Sequence, residues 1–433
     1  GISKGASSCL LPATTEPPRC SCRAAEPSEA AGALQEPADS SSERQPGGVT
    51  ANECARPQRP YYSRAAAMSS TSGEVLGFIG EWYDAVPMLT RKFLIKIFVE
   101  SNSIEIYHVG SGPSKCFLRK SPLQSDLSVD SFNVGEKVLI NSRLINLVDY
   151  ADPYTRRKLS AFNDSNVVVL SPDAYHNMGK IMGDFESEGL RLDKLTTVQL
   201  GEAELSELLP LLGIEGPDGQ LLSLWTSGVL VAMSLKGQQS STRVPEMVTS
   251  LKSKYAVSQM EGALWTGSGL QDFFFSGARS FATTATFDRA TCGVIRPHAV
   301  KSGNAPAIID AVLESGFEIT ALQMFSLDKT CASEFLEVYQ GVIPEYPDTV
   351  LELCSGTCIA MEVKAPQASG LEVCSAFREL AGPWDVEMAR ELKPKSIRAQ
   401  YGVNRVLNAL HCTDLVEDSV PECLYFFDLL QRS

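Results

Sequence analysis

One stretch of this chain occurs twice. Val169-Leu170-Ser171-Pro172-Asp173-Ala174 returns as Val294-Ile295-Arg296-Pro297-His298-Ala299. Ser227-Gly228 ahead of Val231-Ala232-Met233 likewise returns as Ser355-Gly356 ahead of Ile359-Ala360-Met361. A repeat constrains a fold more than any single residue does, because both copies must answer to one plan. In each copy an apolar strand leads to a helix with one apolar stripe: Ile181, Met182 and Phe185 in the first; Ile308, Ile309, Val312 and Leu313 in the second. Gly189 and Gly316 follow those stripes, where glycine takes a left-handed cap at little cost, and a second strand follows each. The pattern predicts two α/β units of one architecture, over 162–280 and 286–433. Ser276 to Thr286, mostly small and polar, is read as the linker.

Ahead of the repeat lie two stretches of different character. Residues 1–72 are rich in Ala, Ser, Pro, Glu and Gly and lack periodic apolar positions. They offer too little area to offset chain entropy and are expected to be a disordered leader. Their acidic residues count against a transit peptide. Because the chain opens at Gly1, residues 1–67 are read as an extension ahead of a natural start at Met68. Over 76–160 the period changes to two: Phe93, Ile95, Ile97 and Val99 alternate with Leu94, Lys96, Phe98 and Glu100. Ser101-Asn102-Ser103 turns the chain into Ile104, Ile106 and His108, a hairpin, and Lys137–Ile140 and Leu144–Val148 add strands. A small β domain is expected there.

Charge and cysteines narrow the partners. With 38 Lys plus Arg against 52 Asp plus Glu, the formal charge is −14, against general nucleic-acid binding. No apolar run approaches the ~20 residues of a membrane span. The 12 cysteines fall at irregular spacings, and Cys20-Ser21-Cys22 is too tight for a zinc clip. Free thiols in a reducing cytoplasm are expected, with no resident metal site.

The chemistry gathers at Asn408-Ala409-Leu410-His411-Cys412-Thr413-Asp414. Imidazole can attack a phosphoryl group and hand it on, acting as a covalent carrier. A lone histidine is more often structural. Here Asn408 precedes it, Glu422 follows, and Arg378 and Arg398 lie upstream. This stretch resembles the active-site signature of the nucleoside diphosphate kinases, and both units are similar to that family's ferredoxin-like βαββαβ fold. The segments Phe78–Asp84, Cys116–Lys120 and Leu147–Tyr150 resemble the DM-ten domain of ciliary proteins, a PH-like β fold. The order of one such domain and two kinase-like units is similar to that of axonemal members of the kinase family. The fold class expected is therefore α+β.

The resemblance implies roles. His411 falls on the nucleophile, Glu422 on the carboxylate that fixes its tautomer, Arg378 and Arg398 on phosphate clamps, and Asn408 on the sugar contact. Tyr339 is the candidate for base stacking, with Tyr346 as rival. Arg296 stands where the family has a phosphate-binding lysine, and a planar fork replaces a compact ammonium. Thr413 keeps a hydroxyl where the family has Ser. His298 replaces an Asp, Cys412 a Gly, and Gly382-Pro383-Trp384 lacks a phosphate-contacting Thr. The implied substrates are ATP and other nucleoside tri- and diphosphates, with Mg2+ as cofactor. In the first unit Gly262 and Trp265 stand at the Asn and His positions, Ser171 and Lys252 replace two cations, and the segment carrying Arg378 has no counterpart. That unit is expected to be silent, a spacer or docking module. The DM-ten resemblance implies tubulin and other axonemal doublet microtubule proteins as partners, and a place in the cytoplasm, cytoskeleton and ciliary or flagellar axoneme. Basic clusters at Arg119-Lys120 and Arg156-Arg157-Lys158 are read as the docking face or as solvated surface. Two functions stay open: an enzyme working through His411, or a scaffold that keeps a kinase fold for its shape.

Overall fold

The computed structural model describes residues 73–432 apart from 85, 111–114, 125–126, 128, 217–218, 256–263 and 366–371. The expected leader and Gly262 lie outside the described residues. The first part is one antiparallel sheet of six strands: β1 Val75–Asp84, β2 Leu89–Phe98, β3 Ser103–Val109, β4 Lys115–Pro122, β5 Lys137–Ile140 and β6 Arg143–Tyr150. Their order is β4-β3-β2-β1-β6-β5. The period of two becomes burial here: Phe93, Ile95 and Ile97 are fully buried with Phe78, Ile106 and Leu147, while Leu94, Lys96 and Phe98 face the other side. Asn102 takes φ +42 in the β2–β3 turn. The helix Pro153–Ser160 closes the sheet. Asp152 caps it by accepting the Thr155 N–H at 2.8 Å, and Thr155 Oγ1 accepts the Gly77 N–H at 2.9 Å.

The repeat builds a second sheet of eight strands: β7 Ser165–Leu170, β8 Arg191–Val198, β9 Leu230–Lys236, β10 Leu264–Thr266, β11 Ala290–Ile295, β12 Glu318–Ser326, β13 Thr357–Lys364 and β14 Leu410–Cys412. The order is β10-β7-β9-β8-β12-β13-β11-β14. Each half reads fourth, first, third, second strand from its own outer edge, with antiparallel pairing throughout, which is the ferredoxin-like βαββαβ arrangement. The second strands of the two halves meet in the middle, where Gln323 pairs with Thr196. Thr197 Oγ1 reinforces the seam, accepting the Leu322 N–H at 2.9 Å.

On one face of this sheet the helices Met178–Ser187 and Ala305–Glu314 pack across the seam. Their approach depends on Gly179, where a Cβ would stand 2.7 Å from the Asp310 nitrogen. The two apolar stripes thus share one core, with Ile181, Met182 and Phe185 beside Ile308, Ile309 and Val312. Gly189 and Gly316 take φ +78 and +84 just beyond those helices. The joining stretch is tied down rather than loose. Thr286 N and Oγ1, Phe287 N and Thr320 Oγ1 all donate to the buried carboxylate of Glu362 at 2.6–2.9 Å. The six-stranded sheet rests on the second half. Lys137 Nζ donates to the Leu327 carbonyl at 3.3 Å, Lys301 Nζ donates to the Lys137 carbonyl at 3.2 Å, and Leu144 packs on the core beneath.

Candidate active site

The site forms where β14 pairs with the inner strand β11, with His411 opposite Val294. Strand alternation decides which way its ring goes. Leu410 and Cys412 enter the core shared by the two halves, so His411 turns to the opposite face, among Phe335 and Tyr339. Both rings meet the imidazole edge-on, at 4.9 and 6.2 Å between centroids. His411 is 1% exposed. Its Nε2 lies 2.9 Å from Glu422 Oε2, and Thr413 Oγ1 donates to that same oxygen at 2.8 Å. A carboxylate only accepts, so this contact puts the ring proton on Nε2 and leaves the lone pair on Nδ1. Nδ1 is buried and has no partner among the protein atoms. Glu422 lies in the first turn of the helix Ser419–Leu424, which Asp418 precedes, so the start of that helix sets the carboxylate that orients the ring.

Around the histidine, further polar groups are buried without partners. Asn408 is fully buried, and neither its amide nitrogen nor its oxygen is engaged. Arg296, at the end of β11, donates Nη1 to the Val406 carbonyl at 2.9 Å and stands 3.7 Å from Glu352, while its Nε has no acceptor. Burial pulls the Arg296 pKa down, and the Glu352 carboxylate opposes that. The indole of Trp384 lies against two guanidiniums, 5.1 Å from Arg296 and 5.4 Å from Arg398, with its own Nε1 unpartnered. Ala409, between Asn408 and Leu410, sits at φ +70, a region that non-glycine residues rarely occupy.

Two of the expected residues make other contacts here. Tyr339 does not offer a face to a base. Its ring is 8% exposed, packs 5.5 Å from Trp384, and its hydroxyl donates to Asp414 Oδ2 at 2.7 Å. Burial, then Asp414, pushes its phenol well above the ordinary range, so it stays a neutral donor beside the histidine. Tyr346, its rival, is partly buried and donates its hydroxyl to the Ser333 carbonyl at 3.4 Å. Arg398 is not held ready as a free clamp. Its Nε donates to the Leu410 carbonyl at 2.9 Å and its Nη1 to the Gly382 carbonyl at 2.8 Å. It braces β14 against the Gly382 loop. Arg378 keeps its head at the surface, donating to the Asp414 carbonyl at 2.9 Å. Cys412 is buried, and burial raises its thiol pKa, so it is inert packing.

Sequence reasoning passed over Glu352. It lies in the helix Tyr346–Leu353, on the side that buries Thr349, Val350 and Leu353, and that i, i+3 spacing was the available signal. The first half carries the contrasting arrangement. Trp265 on β10 faces Val169 on β7, just as His411 on β14 faces Val294 on β11, so an indole takes the place of the imidazole. The Lys252 ammonium lies 4.2 Å above that indole. Among the described residues, no group of three or more His, Cys, Asp and Glu side chains is arranged to hold a metal.

A βαββαβ sheet carrying a carboxylate-oriented histidine on its fourth strand defines the second half as a nucleoside diphosphate kinase domain, and residues 289–431 match the family model "Nucleoside diphosphate kinase". The "Nucleoside diphosphate kinase homolog 7" of Rattus norvegicus is 33% identical over 380 residues, covering 83% of this chain and 94% of that protein, and its Mus musculus counterpart is 32% identical over the same length. The chain belongs to the nucleoside diphosphate kinase homolog 7 family. A "Nucleoside diphosphate kinase" of Aquifex aeolicus is 33% identical over 138 residues, 32% of this chain and 93% of that one. A crystal form of the Aquifex aeolicus kinase aligns at TM-score 0.30 and 32% identity, over 33% of this chain and 96% of that one.

Proposed function

We propose that the second half moves a γ-phosphate from a nucleoside triphosphate to a nucleoside diphosphate through a phosphohistidine at His411. The observation that carries this is the unpartnered Nδ1 lone pair, held in register by Glu422, together with the idle donors of Arg296 Nε, Trp384 Nε1 and the Asn408 amide, of which Trp384 and Arg296 are linked to the histidine's side through Tyr339. Idle buried donors around one nucleophilic nitrogen suit an anionic ligand, since each otherwise bears an unmet desolvation cost. Nδ1 attacks the γ-phosphorus, an N–P bond forms, the P–O bond to the β-phosphate breaks, and the diphosphate leaves. A second diphosphate then takes the phosphoryl group from nitrogen by its terminal oxygen. Glu422 accepts the Nε2 proton's hydrogen bond throughout and stabilises the charge that develops on the ring. Phosphoryl transfer asks mainly for such positioning and electrostatics. Mg2+ arrives with the nucleotide as part of the substrate.

The nucleoside end has room in a neighbouring cleft of about 370 Å³ lined by Glu345, Asp385, Glu387, Asn404, Arg405 and Val406. Its carboxylates repel a polyphosphate and tolerate an uncharged sugar and base, which favours entry with the phosphates toward Arg296. The test is radiolabelled ATP on the full chain and on His411→Ala. Acid-labile, alkali-stable label on the first alone supports the reading, and label on neither leaves a scaffold.

We further propose that the chain works on an axonemal doublet microtubule, in the cytoplasmic space of a cilium or flagellum, with tubulin among its partners. The six-stranded sheet supports this through its DM-ten resemblance and its exposed Arg119 and Arg157. Cosedimentation with doublet microtubules should weaken in Arg119→Glu/Arg157→Glu, and undiminished binding would remove that face from the reading. A purely structural role is the second reading, favoured by one observation: Arg398 spends two donors on carbonyls within the protein.

A further inference from the structure

The phosphoryl-transfer reading leaves His298 without a role, yet its ring is engaged at both nitrogens. Nδ1 stands 2.9 Å from Glu352 Oε1, and Nε2 accepts the Ala409 N–H at 3.2 Å. The His298 backbone N–H donates to the same Glu352 oxygen, also at 3.2 Å. A carboxylate on one side and an N–H on the other can both be satisfied only by the neutral ring with its proton on Nδ1. A proton on Nε2 as well would set two donors face to face.

The recipient of that bond is the unusual point. Ala409 follows Asn408 and comes two residues before His411, and it holds φ +70. Such a conformation persists only where the surroundings enforce it. Its carbonyl is tied to β11 by the Arg296 N–H at 2.9 Å, and its N–H is tied to His298. The peptide between Asn408 and His411 is therefore gripped on both sides by the Arg296-Pro297-His298 turn. Glu352 anchors that grip from the helix Tyr346–Leu353, lying 3.7 Å from Arg296 Nη1 while it holds His298. Glu352 thus turns one carboxylate oxygen to the His298 ring and the other toward Arg296. Lys301, on the same helix as His298, donates to the carbonyls of Ser355 and Lys137 instead, and the Ala409 segment brings only its backbone N–H to the contact.

We propose that His298 is a positioning residue for phosphoryl transfer: it passes the fixed orientation of Glu352 to the Ala409 peptide and so sets where the Asn408 amide and the His411 ring stand. The proposal rests on the phosphoryl-transfer reading for its consequence, and on the geometry alone for the grip. Two variants of the full chain separate the parts. His298→Phe keeps a ring and removes the acceptor, and His298→Gln supplies an amide oxygen in its place. Amide hydrogen exchange of the 404–412 segment and the rate of phosphohistidine formation are read together, with ATP affinity measured separately. In His298→Phe, exchange should quicken about tenfold. Labelling should slow by about ten- to a hundredfold, the effect of a slightly misplaced nucleophile, and ATP affinity should fall by less, through the displaced Asn408 amide. His298→Gln should restore both. Unchanged exchange in His298→Phe, or no restoration by His298→Gln, overturns the proposal. The expected exchange pattern in a chain that takes no label supports the grip and refutes phosphoryl transfer instead.

Discussion

Replacing Glu422 by Gln tests the arrangement of the nucleophile most directly. Glu422 Oε2 is the acceptor for both His411 Nε2 at 2.9 Å and Thr413 Oγ1 at 2.8 Å. Gln keeps the shape and one acceptor oxygen but loses the charge, and a flipped amide would set N–H against N–H. Nucleophilic attack by Nδ1 makes the ring more positive, so the carboxylate contact strengthens on the way to the phosphohistidine. A hydrogen bond to a charged group contributes about 1.5–3 kcal/mol, and about 1.4 kcal/mol corresponds to tenfold in rate. Formation of the phosphohistidine should therefore slow by between about 10- and 150-fold. ATP affinity should change little, because Glu422 touches the ring and not the phosphate donors. The assay is rapid-quench labelling with Mg-ATP, with thermal unfolding followed on the same samples. Labelling within about threefold of the parent chain would mean that the carboxylate does not bear on the reaction, and the assignment of Nδ1 as nucleophile would fall with it.

Other expectations follow from single contacts. Trp384→Phe keeps a ring against Arg296 and Arg398 but removes the idle Nε1 donor, so the ATP KM should rise about fivefold with unfolding unchanged; an unchanged KM removes the indole N–H from phosphate binding. Glu362→Gln should cost about 3 kcal/mol in urea unfolding, since four donors converge on its carboxylate; a loss under about 1 kcal/mol would show the joining stretch is held otherwise. Burial pushes the Glu186 carboxyl up from 4.5 to about 7. The folded chain keeps a proton that the unfolded chain releases, so this contribution is full below about pH 4.5 and lost as pH rises through 7, by on the order of 3 kcal/mol. Glu186→Gln should flatten that slope between pH 5 and 8 in denaturant melts, and an unaltered slope would place the titration elsewhere.

Much of this was legible in the residues, for identifiable reasons. The repeat gave equivalent strands, and the register of β10 on β7 and β14 on β11 bears out Trp265 as the counterpart of His411. The hairpin of β2 and β3 announced itself by alternation. β1 did not, because Gly77, Gly80 and Glu81 interrupt its apolar period; nor did β4, an edge strand with five exposed positions. The seam between β8 and β12 rests on one residue pair and a threonine hydroxyl, contacts between segments far apart that leave no local pattern. Tyr339 and Arg398 were located by motif, but their use depends on which acceptors lie beside them. Asp414 claims the phenol, and the Leu410 and Gly382 carbonyls claim the guanidinium. Such competition is settled only in three dimensions.

The seam also explains how a half without a nucleophile earns its place. β12 would otherwise end the four-stranded sheet of the second half with an open row of amides and carbonyls, a template for unwanted strand addition. β8 meets that edge from within the same chain at Gln323 and Leu322, and the helices behind bury an apolar stripe that a free second half would leave wet. Each polypeptide thus carries its own subunit neighbour, with one fourth-strand histidine for every two kinase folds. What the first half supplies to the second is gathered at β8, Thr197 and Gly179, where the neighbours touch, and Trp265 lies on the outer edge strand away from that seam.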